Sequence, residues 1–491
     1  MLSRFADPKI IWSLAQSTRR NEHLASYNKL QNNCSDSQVP KVVDKGKIIM
    51  DANIKNFFNN CDPTKPLNYG NTEDKSYYID FTSVRGVEVI KQLKDSIEWD
   101  TNRTYQLFTG QIGCGKTTEL WRLKTELEQD NWGVVFLDAS IGLEINDLRV
   151  TDLLIFITYG ISNEYIKNTN ENFLGQCFPN FQNIFNKILG IIQEKLTISD
   201  IGLSVGLATI TAHVKESPKI RDRLSNQLGM FMPDLIRAIN EEVIGLVIEK
   251  LENQGKKGLV VIVDGLDKMI DIEQAESLFI NKTQQLRSFI CHIIYTIPMS
   301  LVFSDKFQAL LQNFAETPKV LPMIPVRRRD GGEHEEGIKL LKEMVLKRVF
   351  PDLPKNQLFE QIPLLFESDE ALNRLCRVSG GHVRYILLYL RDWIRSQERL
   401  PLSQPYLERI IVKYCSDICL GITEEDWRLL CQVAKTQELA GARYYERLIR
   451  SLFVYKYDEQ GQAWFDVNPI LAESKKMKKE CQAETEDYNN D

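Results

Sequence analysis

Two stretches of this chain carry residues whose types and spacing suit phosphate chemistry. The first is Thr104-Tyr-Gln-Leu-Phe-Thr-Gly110-Gln111-Ile112-Gly113-Cys114-Gly115-Lys116-Thr117-Thr118. An apolar run leads into Gly-x-x-x-x-Gly-Lys-Thr, and Glu119 to Leu127 reads as a helix, the strand, glycine loop and helix order of a phosphate-binding loop. Gly110, Gly113 and Gly115 let the backbone curl so that successive N–H groups face phosphate oxygens, and the helix adds its partly positive N-terminus. Lys116 can reach the β- and γ-phosphates, and the Thr117 hydroxyl can complete a Mg²⁺ shell. A glycine-rich turn with a lysine also arises by chance, but the flanking strand and helix favour a site for ATP or GTP.

The second stretch is Lys257-Gly-Leu259-Val-Val-Ile-Val263-Asp264-Gly-Leu-Asp267-Lys268. Five consecutive apolar residues predict a strand buried on both faces, the middle of a parallel sheet. Asp264 is its first polar residue, where a phosphate-loop enzyme holds Mg²⁺, and Asp267 follows one turn later, where it can orient an attacking water. By themselves both aspartates also fit an ordinary strand-end turn; paired with the glycine loop, the metal reading is the better one.

These residues need a scaffold, and the chain is long enough to supply it. Its 491 residues are 43% hydrophobic and 26% charged, enough for two or three domains. A net charge of -6 argues against a protein that coats itself with nucleic acid, while leaving room for one local basic surface. The ten cysteines are scattered without a C-x-x-C pair, which predicts reduced thiols rather than a disulfide frame. Cys415 and Cys419 would share a helix face, and His334 lies in a stretch that lacks the second histidine of a helical zinc motif. The first residues lack the apolar core of an export signal and no stretch is long enough to span a bilayer, so the expectation is a cytoplasmic protein.

Along the chain, residues 1–75 are rich in Asn, Ser, Asp and Lys and read as a weakly ordered lead-in with little functional content. After the glycine loop, Trp132 to Asp138 predicts a second strand, with helices over Asn146 to Lys167 and Ile184 to Lys195. The connection over about 170–256 is long enough to be an insertion, either an interaction element or extra packing. Within it Leu203, Val205 and Leu207 alternate with small residues and predict a strand or hairpin, and Pro233 to Asn253 predicts a long amphipathic helix. Helix (Gln274–Arg287), strand (Phe289–Thr296), helix (Ser304–Phe314) and strand (Lys319–Val326) complete an α/β core over 76–330, a parallel sheet between helices. A helical region follows over 335–400, with helices near Gly337–Phe350, Asp369–Val378 and His382–Arg395. Pro401 to Pro405 reads as a linker into a last domain over 405–472. There helices Thr423–Lys435 and Ala442–Leu452 and a hairpin turning at Gln460-Gly461 give a winged-helix outline. Residues 473–491 form a charged tail, read as solvated.

With these elements in order, the chain resembles the AAA+ ATPases, and within them the origin-recognition-type and STAND-like branch. The stretch Phe81-Thr-Ser-Val84-Arg85-Gly86 resembles the family segment that precedes the first helix, which implies that Val84, Arg85 and Gly86 sit beside the base and that the base is adenine. Tyr295-Thr296-Ile297-Pro298 resembles the sensor 1 strand, implying a γ-phosphate contact from Thr296, with Ser300 second. Ser379-Gly380-Gly381-His382-Val383-Arg384 resembles sensor 2, implying that Arg384 reads the γ-phosphate across the cleft. One departure stands out: Ser304 to Thr317, where the family keeps an arginine finger, has no arginine, and Arg327, Arg328 and Arg329 are the nearest substitutes.

For the last domain, Arg443, Arg447 and Arg450 recur on one helix face with Lys456 in the wing, so DNA contact is one reading. Glu438, Glu446 and Asp458 interrupt the patch, and the resemblance to STAND-like proteins implies the other, a clamp on the nucleotide domain. Three functions follow as expectations: a Mg²⁺-dependent ATPase that switches conformation or assembly state with its nucleotide; an ATP-gated binding module with slow or no hydrolysis; and a DNA-bound loader or initiator. Partners would accordingly be further copies of the ATP-bound chain, an unidentified protein, or DNA.

Overall fold

The structure is a computed structural model that describes residues 54–166, 203–439 and 441–488, with isolated positions between 180 and 188. Most of the predicted helix Ile184 to Lys195 and of the lead-in over 1–75 lies outside the described residues; the described positions 184, 186 and 188 are helical. Among those described, the core begins with α1 (Val89–Trp99), β1 (Tyr105–Gly110), α2 (Lys116–Gln129), β2 (Gly133–Asp138) and α3 (Val150–Tyr165). It continues through α4 (Leu203–Glu216), α5 (Pro218–Gly229) and α6, a helix of three segments, Met232–Ala238, a π turn Ile239–Ile244, and Gly245–Asn253. Then come β3 (Leu259–Asp264), β4 (His292–Thr296), α7 (Phe307–Phe314) and the short β5 (Lys319–Leu321).

The five strands form one parallel sheet in the order β2-β3-β4-β1-β5. Alternate residues of each strand feed two apolar layers. Val135, Val261, Val263 and Ile293 face α3 to α6, while Phe108, Val134, Val260, Ile262 and Ile294 face α1 and α2. This two-sided burial explains why Leu259–Asp264 reads as an unbroken apolar run. The glycine loop, Asp138, Asp264 and Thr296 all lie at the C-terminal ends of their strands, the edge where open α/β sheets place their sites.

The segment expected to be a strand or hairpin is instead the helix α4. The alternation of Leu203, Val205 and Leu207 is too short to set a period. Over the longer window Leu207, Ile210, Thr211 and Val214 are the buried positions, the three-and-four spacing of one helix face, and they pack on α3. Helix α6 does follow the predicted amphipathic span, burying Leu235, Ala238, Ile239, Val243, Val247 and Leu251.

The C-terminal half contributes α8 (Glu335–Lys347), α9 (Asp369–Ser379), α10 (Val383–Gln397) and α11 (Gln404–Cys419), then α12 (Glu424–Thr436), α13 (Glu446–Arg450), β6 (Val454–Glu459), β7 (Gln462–Val467) and α14 (Lys475–Tyr488). Helices α8 to α11 share one apolar cluster: Leu407, Ile410 and Ile411 of α11 lie in it with Leu341, Leu375 and Leu390, directly after Pro401 to Pro405. Phe57, Cys61, Ile79 and Phe81 belong to the same cluster, so residues 54–81 are packed against these helices. β6 and β7 form the expected antiparallel hairpin beside α12 and α13, a small winged-helix-like unit.

The charged tail is helical over α14; its Lys475, Lys476, Lys478 and Lys479 are exposed, and Met477 is buried against α12. Its Cys481 forms a disulfide with Cys431 of α12, 50 residues earlier, where reduced thiols were expected throughout. Packing of α14 on α12 brings the two sulfurs together, and no local spacing signals it. Cys61, Cys114, Cys291, Cys376, Cys415 and Cys419 are free thiols. No helix among the described residues is long and apolar enough to cross a membrane.

Candidate functional site

The glycine loop leaves β1 at Gly110 and enters α2 at Lys116. At Gly113 φ is +88°, and a Cβ there would lie 2.7 Å from the His382 ring and 2.9 Å from the Arg384 Cβ. Glycine is thus required twice, by the left-handed backbone and by the close approach of the helix α10 start.

The Thr117 hydroxyl donates to the Asp264 carboxylate at 2.6 Å, across 147 residues of sequence. Lys116 Nζ donates to the Gly110 and Gln111 carbonyls at 2.8 and 3.1 Å and pairs with Asp267 at 2.9 Å. Lys116, Asp264 and Asp267 are all buried. Burial, reinforced by the like charge of Asp267, raises the Asp264 carboxyl above its ordinary range, while the Thr117 hydrogen bond opposes it. Burial pulls the Lys116 ammonium down, but Asp267 more than compensates and holds it above its ordinary value. Asp138 ends β2 directly across from Asp264 and adds a further carboxylate, with its Oδ1 capping the Ser140 N–H at 2.9 Å.

This donor set fits Mg²⁺. A hydroxyl and a carboxylate oxygen in contact, with excess buried negative charge around them, suit a hard cation that keeps most of its shell for water and phosphate. Among the described residues no group of three or more His, Cys, Asp and Glu is placed to hold a metal by itself.

Thr296 is fully buried between β3 and β1. Its hydroxyl accepts the Leu266 N–H at 3.1 Å and faces the Val263 carbonyl at 3.4 Å, so it fixes the turn that carries Asp267. Ser300 is buried nearby in the turn Met299–Phe303. Arg85 is buried with one terminal nitrogen 2.9 Å from the Cys114 carbonyl and the other on the Pro322 carbonyl. Val84 is buried in the cluster of the C-terminal helices, and Gly86 lies against Asp458 of the wing hairpin. Thr118 accepts the Leu67 N–H at 3.2 Å, and the Cys114 thiol is buried toward Leu321.

From the other side comes the start of α10. His382 caps that helix by accepting the Tyr385 N–H at 3.1 Å on Nδ1, and its Nε2 donates to the Ile112 carbonyl at 2.8 Å. The Arg384 backbone N–H donates to the Gly113 carbonyl at 3.3 Å. Both bonds fix one neutral tautomer of His382, and burial pulls its pKa down to about 3. Arg384 is therefore held beside the glycine loop. His382 was not singled out; its place two residues before Arg384 and after the glycine pair was the available signal.

The arginines proposed for other roles are engaged within the chain. Arg327, Arg328 and Arg329 face Asp466, Asp330 and Glu438 at 3.1, 3.5 and 3.0 Å. Arg443 pairs with Asp305 of the core at 2.6 Å, and Arg450 donates to the Ile270 carbonyl at 2.9 Å. Arg447 donates to the Gly421 carbonyl at 2.8 Å and contacts Asp426. Lys456 is half-buried, with its backbone N–H on Gln111 Oε1 at 2.9 Å. Tyr455, Tyr457 and Trp464 of the hairpin lie in the same apolar cluster as Phe108 and Leu120 of the core. The winged-helix-like unit is thereby packed on the glycine-loop side of the sheet.

No protein-family model matches the chain, and no curated protein sequence matches it. Solved structures with a similar course include the Walker-type ATPase PABY2304 of Pyrococcus abyssi, 15% identical with a TM-score of 0.38, covering 84% of this chain and 98% of that one. Cdc6p from Pyrobaculum aerophilum is 12% identical with a TM-score of 0.33 over 84% and 98% of the two chains. The Aeropyrum pernix Orc1 protein in complex with DNA is 11% identical with a TM-score of 0.30 over 80% and 92%.

Proposed function

We propose that this chain is a Mg²⁺-dependent, ATP-binding and ATP-hydrolysing protein that works as a nucleotide-dependent conformational or assembly switch. The observation that carries the proposal is the meeting of two distant stretches, Lys116-Thr117 and Asp264 to Asp267, through the 2.6 Å Thr117 to Asp264 bond and the 2.9 Å Lys116 to Asp267 pair. In this reading Lys116 binds the β- and γ-phosphates through its ammonium. Thr117 and Asp264 hold Mg²⁺, which supplies positive charge to the phosphate oxygens. Asp267, released from Lys116, orients the attacking water and takes its proton as the water oxygen bonds to the γ-phosphorus and the bond from that phosphorus to the ADP oxygen breaks. Thr296 positions the Asp267 turn, and Arg384 offers its guanidinium to the γ-phosphate, an anionic partner present in ATP and absent in ADP. The backbone of Gly110, Gln111, Ile112, Gly113, Cys114, Gly115 and Thr118 lines the phosphates, with Val84, Arg85 and Gly86 toward the base.

A closed resting state is favoured over a DNA reader by the engagement of Arg443 and Arg450 with the core. A slowly hydrolysing module remains the second reading, supported by the commitment of Asp267 to Lys116. The deciding experiment measures bound nucleotide, Mg²⁺-dependent ATP turnover and size-exclusion elution of the full chain, beside Lys116→Ala and Arg384→Ala. Turnover abolished at Lys116, with a change in hydrodynamic size between ATP and ADP, is the expected result. Retained nucleotide without turnover selects the binding module, and a chain that binds no nucleotide overturns both readings.

A further inference from the structure

Gln111 stands at one of the positions between the two glycines of the motif, and its side chain is 3% exposed and reaches into the wing. Its Oε1 accepts the Lys456 N–H at 2.9 Å and its Nε2 donates to the Val454 carbonyl at 2.7 Å, with the Ile449 carbonyl at 3.4 Å. The amide thus pairs with the free edge of β6 much as a residue of another strand would, on the side not taken by β7. Further along the same edge the Lys456 carbonyl accepts the Met323 N–H at 3.0 Å. On its main-chain side Gln111 is coupled to the chemistry: its carbonyl accepts Lys116 Nζ at 3.1 Å.

We infer that Gln111 is the positioning residue that reports occupancy of the glycine loop to the wing, an inference that rests on the ATP-binding reading above. Phosphate competes for the Lys116 ammonium and for the loop N–H groups. Lys116 then leaves the Gly110 and Gln111 carbonyls, and this part of the loop backbone turns. An amide held by two directional hydrogen bonds to a strand edge does not follow such a turn with both bonds intact. The wing-docked state therefore binds nucleotide less well than the released state, and that difference lets nucleotide move the wing. Nothing in this route requires the γ-phosphate, so ADP also bears on it, while the contact of Arg384 with the γ-phosphate favours ATP.

The test is hydrogen exchange over residues 454–459 together with the affinity for a fluorescent ATP analogue, on the full chain. Wild type is compared with Gln111→Met, which keeps the volume and removes both hydrogen bonds, and Gln111→Glu, which sets a carboxylate against the Val454 carbonyl. In wild type, Mg²⁺ and ATP raise exchange over 454–459. In both variants that exchange is already raised without nucleotide, exchange over β1 and β3 is unchanged, and nucleotide binds roughly three- to tenfold tighter because the competent state is more populated. Variants that bind nucleotide as wild type does, or more weakly, or with 454–459 protected as in wild type, overturn the inference. A wild type that binds no ATP overturns the functional reading instead, and the nucleotide-free exchange of the variants separates that outcome from a failed Gln111 contact.

Discussion

Lys116 and Asp267 form an ion pair at 2.9 Å with side chains only 5% and 8% exposed. In that setting the cost of removing one partner is set by the charge left behind. Asp267→Asn leaves the ammonium with two carbonyls and without its paired carboxylate, and Lys116→Met strands the carboxylate beside Asp264. Each single variant is expected to lose about 3 kcal/mol of stability in urea unfolding, while Lys116→Met/Asp267→Asn loses less than the sum. Additive losses in that double-mutant cycle contradict a direct pair.

His382 predicts a pH dependence with a definite sign. Its neutral form is locked by donation to the Ile112 carbonyl and acceptance from the Tyr385 N–H, and its pKa in the fold is about 3 against an ordinary value of 6.5. Below pH 6.5 the unfolded chain takes up a proton that the folded chain refuses, so stability is complete above that pH and falls as pH drops toward 3. The loss from this group is about 1.4 kcal/mol per pH unit. His382→Asn keeps a helix-capping side chain without the titration. Its unfolding free energy, subtracted from that of wild type between pH 7 and 4.5, is expected to leave this slope; a flat difference refutes the assignment.

The parts of this arrangement that were legible in the sequence are those whose signal is local. The glycine loop is a contiguous motif, Leu259 to Val263 announces a central strand by its unbroken apolar run, and Gln460-Gly461 marks the hairpin by its turn residues. The segment after Ile201 misled because three alternating residues also fit a helix, and only the reach to Val214 separates the periods. The contacts that give the site its present state were not legible at all. Gln111 and Lys456 are 345 residues apart, and the Gln111 amide meets main-chain atoms, which carry no residue-type signature. The engagement of Arg443 with Asp305 is similar, since a helical arginine stripe looks the same whether it faces DNA or the molecule's own core.

Gly381, between α9 and α10, packs on the backbone of Ile324, just after β5, under a steric limit. Its φ is +75°, and a Cβ would fall 1.7 Å from the Ile324 carbonyl oxygen, a main-chain atom with no rotamer to move away. Gly381→Ala is therefore expected to cost roughly 2–4 kcal/mol and to loosen the approach of His382 and Arg384 to the glycine loop. Gly229→Ala, where nothing lies within 4 Å, is the control and should leave thermal unfolding nearly unchanged. Equal effects of the two substitutions would remove the steric argument.

Arg443 and Arg450 separate a clamp from a DNA reader. Arg443 reaches Asp305 at 2.6 Å, but both side chains are well exposed, 72% and 63%, so solvent screening leaves this pair worth at most about 1 kcal/mol. Arg450 adds a charge-assisted bond to the Ile270 carbonyl at 2.9 Å. Together they fasten α13 and the turn before it to the core edge that carries Asp264 and Thr296, where Met299 and Phe303 join the winged unit's apolar cluster. Arg443→Ala/Arg450→Ala is thus expected to speed protease cleavage between α11 and α12 several-fold in low salt, with wild type approaching the variant as salt is raised. A DNA reader behaves otherwise: the same double variant would flatten the salt dependence of duplex binding by about two units of slope, with no change in cleavage. Observing the second pattern would reassign the arginine face from the core to nucleic acid.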